Sequence, residues 1–341
     1  MLNKILLEEY QKILNQLEIQ KFKNKSILIT GANGLIGSYL VDFLDYASET
    51  FDLGIQIYAM SRSLNKLKQR FSNLQNVILV EQDLNLPLKS NVDFDFIIHA
   101  ASNAHPLAYS TDPVGTMKTN LIGTINLLDN IKNSNCKFLY ISTGEIYGNN
   151  TDKAFEETDI GLIDTKSVRS CYPVSKCAAE TICYAYAQQY GIKMNIARLC
   201  YVYGASITND NSRADAQFLR NALDGKDIVL KSLGLQKRTY CYVADVVCAL
   251  LFILTNSKDN EVYNIANPNS IVSIKEYAST LAEISNVQLK FEIPDEIEAR
   301  GYSKQADSIL NASKLMSLGW KPVYKIDEGL KNTFNIKKVV Q

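Results

Sequence analysis

The segment Ser26-Ile-Leu-Ile-Thr30 ends directly on Gly31-Ala-Asn-Gly34-Leu-Ile-Gly37, and the residues that follow, Leu35 to Tyr46, are apolar at helical spacing. A strand that turns on glycine into a helix leaves the rest of the chain little freedom, because a parallel neighbour is reached only by a crossover of helical length. Further short apolar runs follow at Ile55 to Met60, Val77 to Val80, Phe94 to His99, Lys137 to Ser142 and Asn195 to Leu199, each separated by a helix-length segment. Their Val, Ile and Phe content is nearly continuous rather than alternating, which marks strands buried on both faces. The pattern predicts a parallel sheet covered by helices on both sides.

Strand, glycine turn and helix in that order open a Rossmann unit, so the fold class expected is α/β: a doubly wound parallel sheet with a smaller C-terminal α/β region. The alternation loosens after Tyr203. Gly204 to Gln217 reads as a polar loop, a helix runs to about Asp224, Lys231 to Tyr242 reads as strand and turn, and Val243 to Asn256 as a helix returning to the first domain. Residues 270 to 335 are expected to hold two more helices and a Gly319-Trp-Lys-Pro322 turn. This divides the chain into an N-terminal amphipathic helix (1–24), a dinucleotide-binding domain (25–204 with 243–268) and a substrate region (205–242 with 269–335).

Composition removes several function classes. Lys+Arg and Asp+Glu balance at 36 each with no block of like charge, so a nucleic-acid partner is not expected. The seven cysteines are odd in number and lack CxxC spacing, which points to reduced thiols in the cytoplasm rather than disulfides or a zinc site. Two histidines, His99 and His105, leave almost nothing for a histidine-based metal site or triad. Leu2, Ile5, Leu6, Tyr10, Ile13, Leu14 and Leu17 fall at helical spacing among charges, which reads as a helix packed on the domain, neither a signal peptide nor a membrane span.

The glycine loop suits a turn in which backbone approaches a pyrophosphate at a helix N-terminus, where unpaired N–H groups and the helix dipole favour anions. Its spacing is G-x-x-G-x-x-G. The acidic residue that usually holds an NAD ribose at the end of the second strand is missing from Tyr58-Ala-Met-Ser61-Arg62-Ser63. Ser61 and Arg62 suit a 2′-phosphate instead, so the residues favour NADP over NAD, with Arg62 as a solvated helix-start residue the alternative. Asp83, after the third strand, is read as a hydrogen-bond partner of the adenine or as a cap. Downstream, Tyr172 and Lys176 lie four apart in Tyr-Pro-Val-Ser-Lys, on one face of a helix, where an ammonium can favour the phenolate and make Tyr172 a base.

With these motifs in register with Asn120 in Lys-Thr-Asn-Leu-Ile-Gly-Thr and with Ser142-Thr-Gly-Glu-Ile-Tyr-Gly148, the chain resembles the extended short-chain dehydrogenase/reductases. Within them it looks like the branch of nucleotide-sugar epimerases, dehydratases and decarboxylases, from about Lys25 to Gly329. The resemblance implies that Thr143 and Tyr172 contact a sugar 4-hydroxyl, that Tyr172 takes its proton while C4 is oxidised, and that Lys176 binds the nicotinamide ribose. It extends the cofactor set to Asn33, Leu35, Ile36, Leu84, Ala100, Ala101, Ser102 and Asn120. It places Arg238 on the substrate's phosphates and adds His105, Gly144, Tyr201, Arg213 and Arg300 on the substrate side. It also implies a homodimer formed through the Tyr-Lys helix and the one before it.

Glu145 narrows the reaction, since dehydratases and glucuronate decarboxylases of that family carry Glu here and dehydratases use it as the base at C5. Gly144 departs from a dehydratase subgroup with Asp at that place, which leaves decarboxylases and guanosine-diphosphate-mannose-type dehydratases, which carry Ser, and Tyr201 stands where an Asn holding the diphosphate is usual. Arg169-Ser-Cys171 and Ala101-Ser-Asn-Ala-His105-Pro look most like the glucuronate decarboxylases. The function expected is therefore NAD(P)-dependent modification of a nucleotide-diphosphate sugar through a 4-keto intermediate, of dehydratase or glucuronate-decarboxylase type. The alternatives are an NADPH-dependent 4-ketoreductase or 4-epimerase, and a binding protein that keeps the fold without activity.

Overall fold

The computed structural model describes residues 3–74, 76–90, 92–148, 153–293 and 307–340. The amphipathic N-terminal segment forms α1 (Lys4–Leu14). The strand–glycine–helix opening is β1 (Ser26–Thr30) and α2 (Leu35–Phe51), followed by β2 (Gln56–Ser61), α3 (Leu64–Arg70), β3 (Val77–Glu81), β4 (Phe96–His99), α4 (Pro106–Thr111), α5 (Pro113–Ile131), β5 (Lys137–Thr143), α6 (Cys171–Tyr190) and β6 (Lys193–Leu199). Then come β7 (Tyr201–Tyr203), α7 (Ala214–Leu223), β8 (Ile228–Leu230), β9 (Lys237–Tyr242), α8 (Val243–Asn256), β10 (Glu261–Ile265), β11 (Ile271–Ser273), α9 (Ile274–Ser285), β12 (Leu289–Phe291), α10 (Ser313–Ser317) and α11 (Ile326–Val340).

Seven of these strands form one sheet in the order β10-β6-β5-β4-β1-β2-β3, each neighbour parallel to the next. Every residue of β1 is buried, as a central strand covered on both faces must be, whereas edge strand β3 is partly exposed. The order reverses beside β1, whose neighbours β2 and β4 lead to opposite edges, and a cleft opens there at the carboxyl ends of the strands. Strands β11, β9 and β7 make a small second sheet, and β12 pairs with β8. Helix α8 is apolar around its whole circumference, with the run from Val243 to Leu254 buried, which is the pattern of a helix enclosed by other elements.

Two expectations are corrected. The segment read as loop to Gln217 turns helical at Ala214, because Ala216, Phe218, Leu219 and Ala222 bury one face of α7. Two helices were expected between 270 and 335, and the described residues there contain parts of three, since the short α10 turns on Leu315 alone. Lys231 to Tyr242, read as strand and turn, bends at its start and is strand from Lys237 to Tyr242. All seven cysteines are free thiols, and among the described residues no helix is long and apolar enough to cross a membrane.

Candidate functional site

The cleft at the reversal point has a volume of about 1380 Å³, larger than the roughly 300–1,000 Å³ of a site for one small ligand. Its floor is built from strand ends: the glycine loop after β1, Ala100 and Ser102 after β4, Thr143 and Glu145 after β5, and Cys200 and Tyr201 after β6. Gly31 has φ of +67°, and a Cβ there would come within 2.8 Å of the Ala101 backbone, so only glycine lets β1 turn this close to β4. Gly37 is equally constrained, its missing Cβ pointing 2.4 Å from the Gly31 carbonyl oxygen. Gly34 caps α2 with no side-chain bond, which leaves the first N–H groups of a 17-residue helix facing the cleft at Leu35, Ile36 and Gly37. Asn33 ties this loop to β2 by donating to Ser61 Oγ at 3.0 Å, and its own Oδ1 is buried without a partner. An anion-binding helix end and an unpaired amide oxygen in a long cleft fit a dinucleotide whose pyrophosphate lies on α2.

The reacting groups meet beyond the glycine loop. Thr143 Oγ1 accepts from the Glu145 backbone N–H at 3.2 Å, holding the short turn Gly144–Tyr147, and lies beside the Tyr172 hydroxyl, whose pKa it draws down. Glu145 accepts from Arg169 Nη2 at 2.7 Å. Lys176, one turn after Tyr172 on α6, donates to the Ile141 carbonyl oxygen at 2.7 Å, with its ammonium 4.6 Å from the Tyr140 ring centroid. Burial draws its pKa down to about 7, opposed by the Glu180 carboxylate, while burial pushes the Tyr172 hydroxyl up, opposed by Thr143. Lys176 thus serves a backbone carbonyl here, and desolvation is the largest influence on both groups.

Helix α6 is locked behind this site by a buried ion pair. Arg198 on β6 donates to both oxygens of Glu180 and to the Tyr147 hydroxyl, and Glu180 also accepts from Ser142. The residue before Thr143, the turn after it and the Tyr-Lys helix are thus fixed to one another. Asn120 accepts from Ser102 Oγ at 2.7 Å and donates to Ser175 Oγ at 2.9 Å, joining the end of β4 to α6 through α5.

The sequence profile of the NAD dependent epimerase/dehydratase family matches residues 27–266, most of the chain. The chain belongs to this family. Among curated members of it, UDP-glucuronic acid decarboxylase 5 of Arabidopsis thaliana is 33% identical over 307 residues, covering 90% of this chain and 87% of that protein. The UDP-glucose 4-epimerase of Thermotoga maritima, solved with UDP-glucose, superposes with a TM-score of 0.77 at 25% identity over 93% of this chain and 100% of its own. The dTDP-glucose 4,6-dehydratase of Bacillus anthracis, solved with NAD, shares the fold with a TM-score of 0.74 at 23% identity, covering 91% and 96% of the two chains. The epimerase/dehydratase family is one of NAD(P)-dependent enzymes, and the resemblance seen in the motifs extends through the tertiary structure.

Against this family pattern the expected residues sort into two groups. Gly31, Asn33, Gly34, Leu35, Ile36, Gly37, Arg62, Ala100, Ser102, His105, Thr143, Gly144, Glu145, Tyr172, Lys176, Tyr201, Arg213 and Arg238 all line the cleft. Ser61, Asp83, Leu84, Ala101 and Asn120 do not. Asp83 is exposed and accepts from the Asn85 N–H in a local turn, and Leu84 packs in the core against Gly123. Asn120 is fully buried and acts through Ser102 and Ser175, so its place is behind the cofactor groove. Ser61 is occupied by Asn33 and the Ser63 N–H. Arg300 lies outside the described residues.

On the substrate side Arg213 is pinned by an ion pair to Asp215 and by the Val202 carbonyl at 2.6 Å, and the Arg238 guanidinium stacks over the Tyr201 ring at 4.3 Å. Sequence reasoning missed the strap that crosses the groove between β7 and α7. Ser206 Oγ donates to the Leu35 carbonyl oxygen at 2.7 Å, Asp210 faces Lys66 at 3.5 Å, and Ser212 meets His105 Nδ1 at 3.2 Å. No short motif marks these partners, which lie between 107 and 171 residues apart in sequence.

Proposed function

We propose that the protein removes the C6 carboxylate of a nucleoside-diphosphate-linked hexuronic acid through a 4-keto intermediate, with NADP as the preferred cofactor. The observation that carries this reading is the placing of Thr143, Glu145, Tyr172 and Lys176 on one wall of a cleft whose other end fits a dinucleotide. A bound nicotinamide supplies the acceptor, and later the donor, of the hydrogen at C4. Thr143 and Tyr172 hold the 4-hydroxyl, and Tyr172 takes its proton as the ketone forms. With a ketone at C4, the C5–C6 bond breaks, its electron pair passes to the C4 oxygen as an enolate, and C6 leaves as CO2. Glu145 passes a proton from solvent to C5, which turns the enolate back into the C4 ketone, and that ketone is then reduced.

A dehydratase subgroup keeps an Asp beside the leaving 6-hydroxyl, and Gly144 stands in that place here. A Cβ at Gly144 would lie 2.8 Å from Leu310 Cδ1, so a side chain there would need the end of Leu310 to move aside. Decarboxylation asks for no such acid. The relatives named as UDP-glucuronic acid decarboxylases support the same choice, and the stacked Arg238 and Tyr201 would hold the diphosphate end. Arg62 lines the cleft with Lys66 and Arg70 nearby and no acid on β2's end, which supports NADP. A homodimer through α5 and α6 is supported by the exposed Ile122, Tyr184 and Tyr190 on those helices, and free thiols agree with a cytoplasmic enzyme.

The test is incubation of purified protein with UDP-glucuronate, UDP-glucose, dTDP-glucose and GDP-mannose, with NADP or NAD, followed by mass spectrometry. Loss of CO2 from the uronic acid alone is expected. Loss of water from a neutral hexose, an unchanged mass with inverted C4, or net consumption of NADPH on a 4-keto sugar would each replace this reading with dehydration, epimerisation or ketone reduction.

A further inference from the structure

The reading above gives Arg169, which lines the cleft, no task. Arg169 sits in the turn Val168–Ser170, immediately before α6 and three residues ahead of Tyr172. Its Nη2 donates to Glu145 Oε2 at 2.7 Å. The face of the same guanidinium lies 4.4 Å from the Tyr109 ring centroid, and the Tyr109 ring in turn stacks on Tyr172 with centroids 4.9 Å apart and planes 24° apart. Tyr109 and Tyr172 are buried together with Cys171, so this stack has a fixed place in the wall. Glu145, by contrast, keeps 31% of its side chain exposed, and Arg169 is its ion-pair partner. One side chain therefore keys together α4, the turn after β5 and the start of α6, and it touches the carboxylate directly and the tyrosine through one ring.

We propose that Arg169 is a positioning residue that aligns the Glu145 carboxylate with Tyr172 for the C5 step. A carboxylate on a flexible stem loses rate when its oxygen wanders by even an ångström, and a planar guanidinium that is both stacked and paired restricts that motion. Lysine matches the charge but neither the stack nor the fork. The C4 oxidation needs Thr143, Tyr172 and the cofactor, and Arg169 reaches these only through the Tyr109 ring and its charge on Tyr172, so the C5 step should suffer more than the C4 step in a variant. The inference rests on Glu145 serving C5.

The experiment is rapid mixing of UDP-glucuronate with the enzyme carrying oxidised NADP or NAD, for the parent, Arg169→Met, Arg169→Lys, Glu145→Gln and the Arg169→Met/Glu145→Gln double variant. Absorbance of the reduced nicotinamide reports C4 oxidation, and solvent deuterium at C5 reports the later step. Arg169→Met should leave the first step within about threefold and slow the second at least about tenfold, the scale of a lost positioning contact. Added guanidinium ion, and Arg169→Lys, should each restore part of the second step, and the double variant should be no slower than Glu145→Gln alone. Equal loss of both steps without rescue, or an unchanged C5 step in Arg169→Met, overturns the proposal. If Arg169→Met fails to fold, judged by circular dichroism, Arg169→Lys decides it, since a normal C5 step there removes the need for stack and fork. An unaffected C5 step in Glu145→Gln defeats the Glu145 reading instead.

Discussion

Tyr172 and Glu145 carry different steps, and substituting each should stop the reaction at a different place. Tyr172→Phe removes only a hydroxyl from a buried ring, so dinucleotide affinity should survive while turnover falls at least about a hundredfold, the usual cost of a missing general base. Full activity in this variant would end the mechanism. Glu145→Gln keeps the size of the side chain and an acceptor for Arg169 but removes the proton, so it should still reduce the bound cofactor when substrate is added and then stall, without solvent deuterium at C5. Product at the parent rate would leave epimerisation or ketone reduction as the better account. Arg62 is exposed and donates to Asn103 at 3.3 Å, a weak tie that frees its guanidinium for a 2′-phosphate. Arg62→Ala should weaken NADP binding by about 1–3 kcal/mol, the scale of a charged hydrogen bond, and leave NAD nearly unchanged in a calorimetric titration. Equal loss for both cofactors would count against the NADP preference.

Among the elements, α1 shows how a polar group can anchor a helix to an apolar body. Glu9 is fully buried, and its two oxygens accept from the Tyr39 hydroxyl at 2.6 Å, the Tyr242 hydroxyl at 2.6 Å and Asn332 Nδ2 at 3.0 Å. Those partners come from α2, the end of β9 and α11, so one carboxyl joins four elements. Burial raises its pKa, and the three hydrogen bonds oppose that rise. Glu9→Ala would strand two buried hydroxyls and an amide and should lower unfolding stability by about 2–4 kcal/mol, seen as an earlier urea midpoint with an unchanged slope. Because Tyr242 leads into α8, which supports the sheet beneath the cleft, a milder loss of cofactor affinity should accompany it.

At the scale of the whole molecule, a buried carboxyl ties stability to pH. Asp45 on α2 is buried with Oδ1 unpartnered, and burial, helped by Glu49 and Asp42, raises its pKa to about 6 from 3.8. A folded-state pKa above the unfolded one means that the folded chain holds the proton longer, so stability falls as pH rises from about 4 to 6 and the penalty is complete above 6. Relative to the parent, Asp45→Asn should gain about 1–2 kcal/mol between pH 4 and pH 8 after allowance for solvent screening, measured by thermal melts across that range. A difference that does not change with pH would show that Asp45 ionises freely in the fold.

The parallel sheet, its opening glycine turn and the Tyr-Lys helix were legible in the sequence because each rests on local periodicity or on a short spacing. Gly31 and Gly37 announced a turn that no other residue can make, and the near-continuous apolar runs of β1, β4 and β5 could be buried only between two layers of helices. The position of Glu145 two residues after Thr143 likewise placed it in the cleft. What the tertiary structure alone decided is every relation carried by partners far apart in the chain. Asn120 is held in a buried relay behind the cleft, because Ser102 and Ser175 on other elements offer it hydrogen bonds that the sequence does not display, whereas the local turn at Asp83 was one of the two readings its sequence allowed. The strap over α2, the Arg198–Glu180 lock and the stack from Arg169 through Tyr109 to Tyr172 have the same origin. Local pattern determines which elements form and which residues reach their ends, whereas the pairing and desolvation of those residues depend on what the fold packs against them.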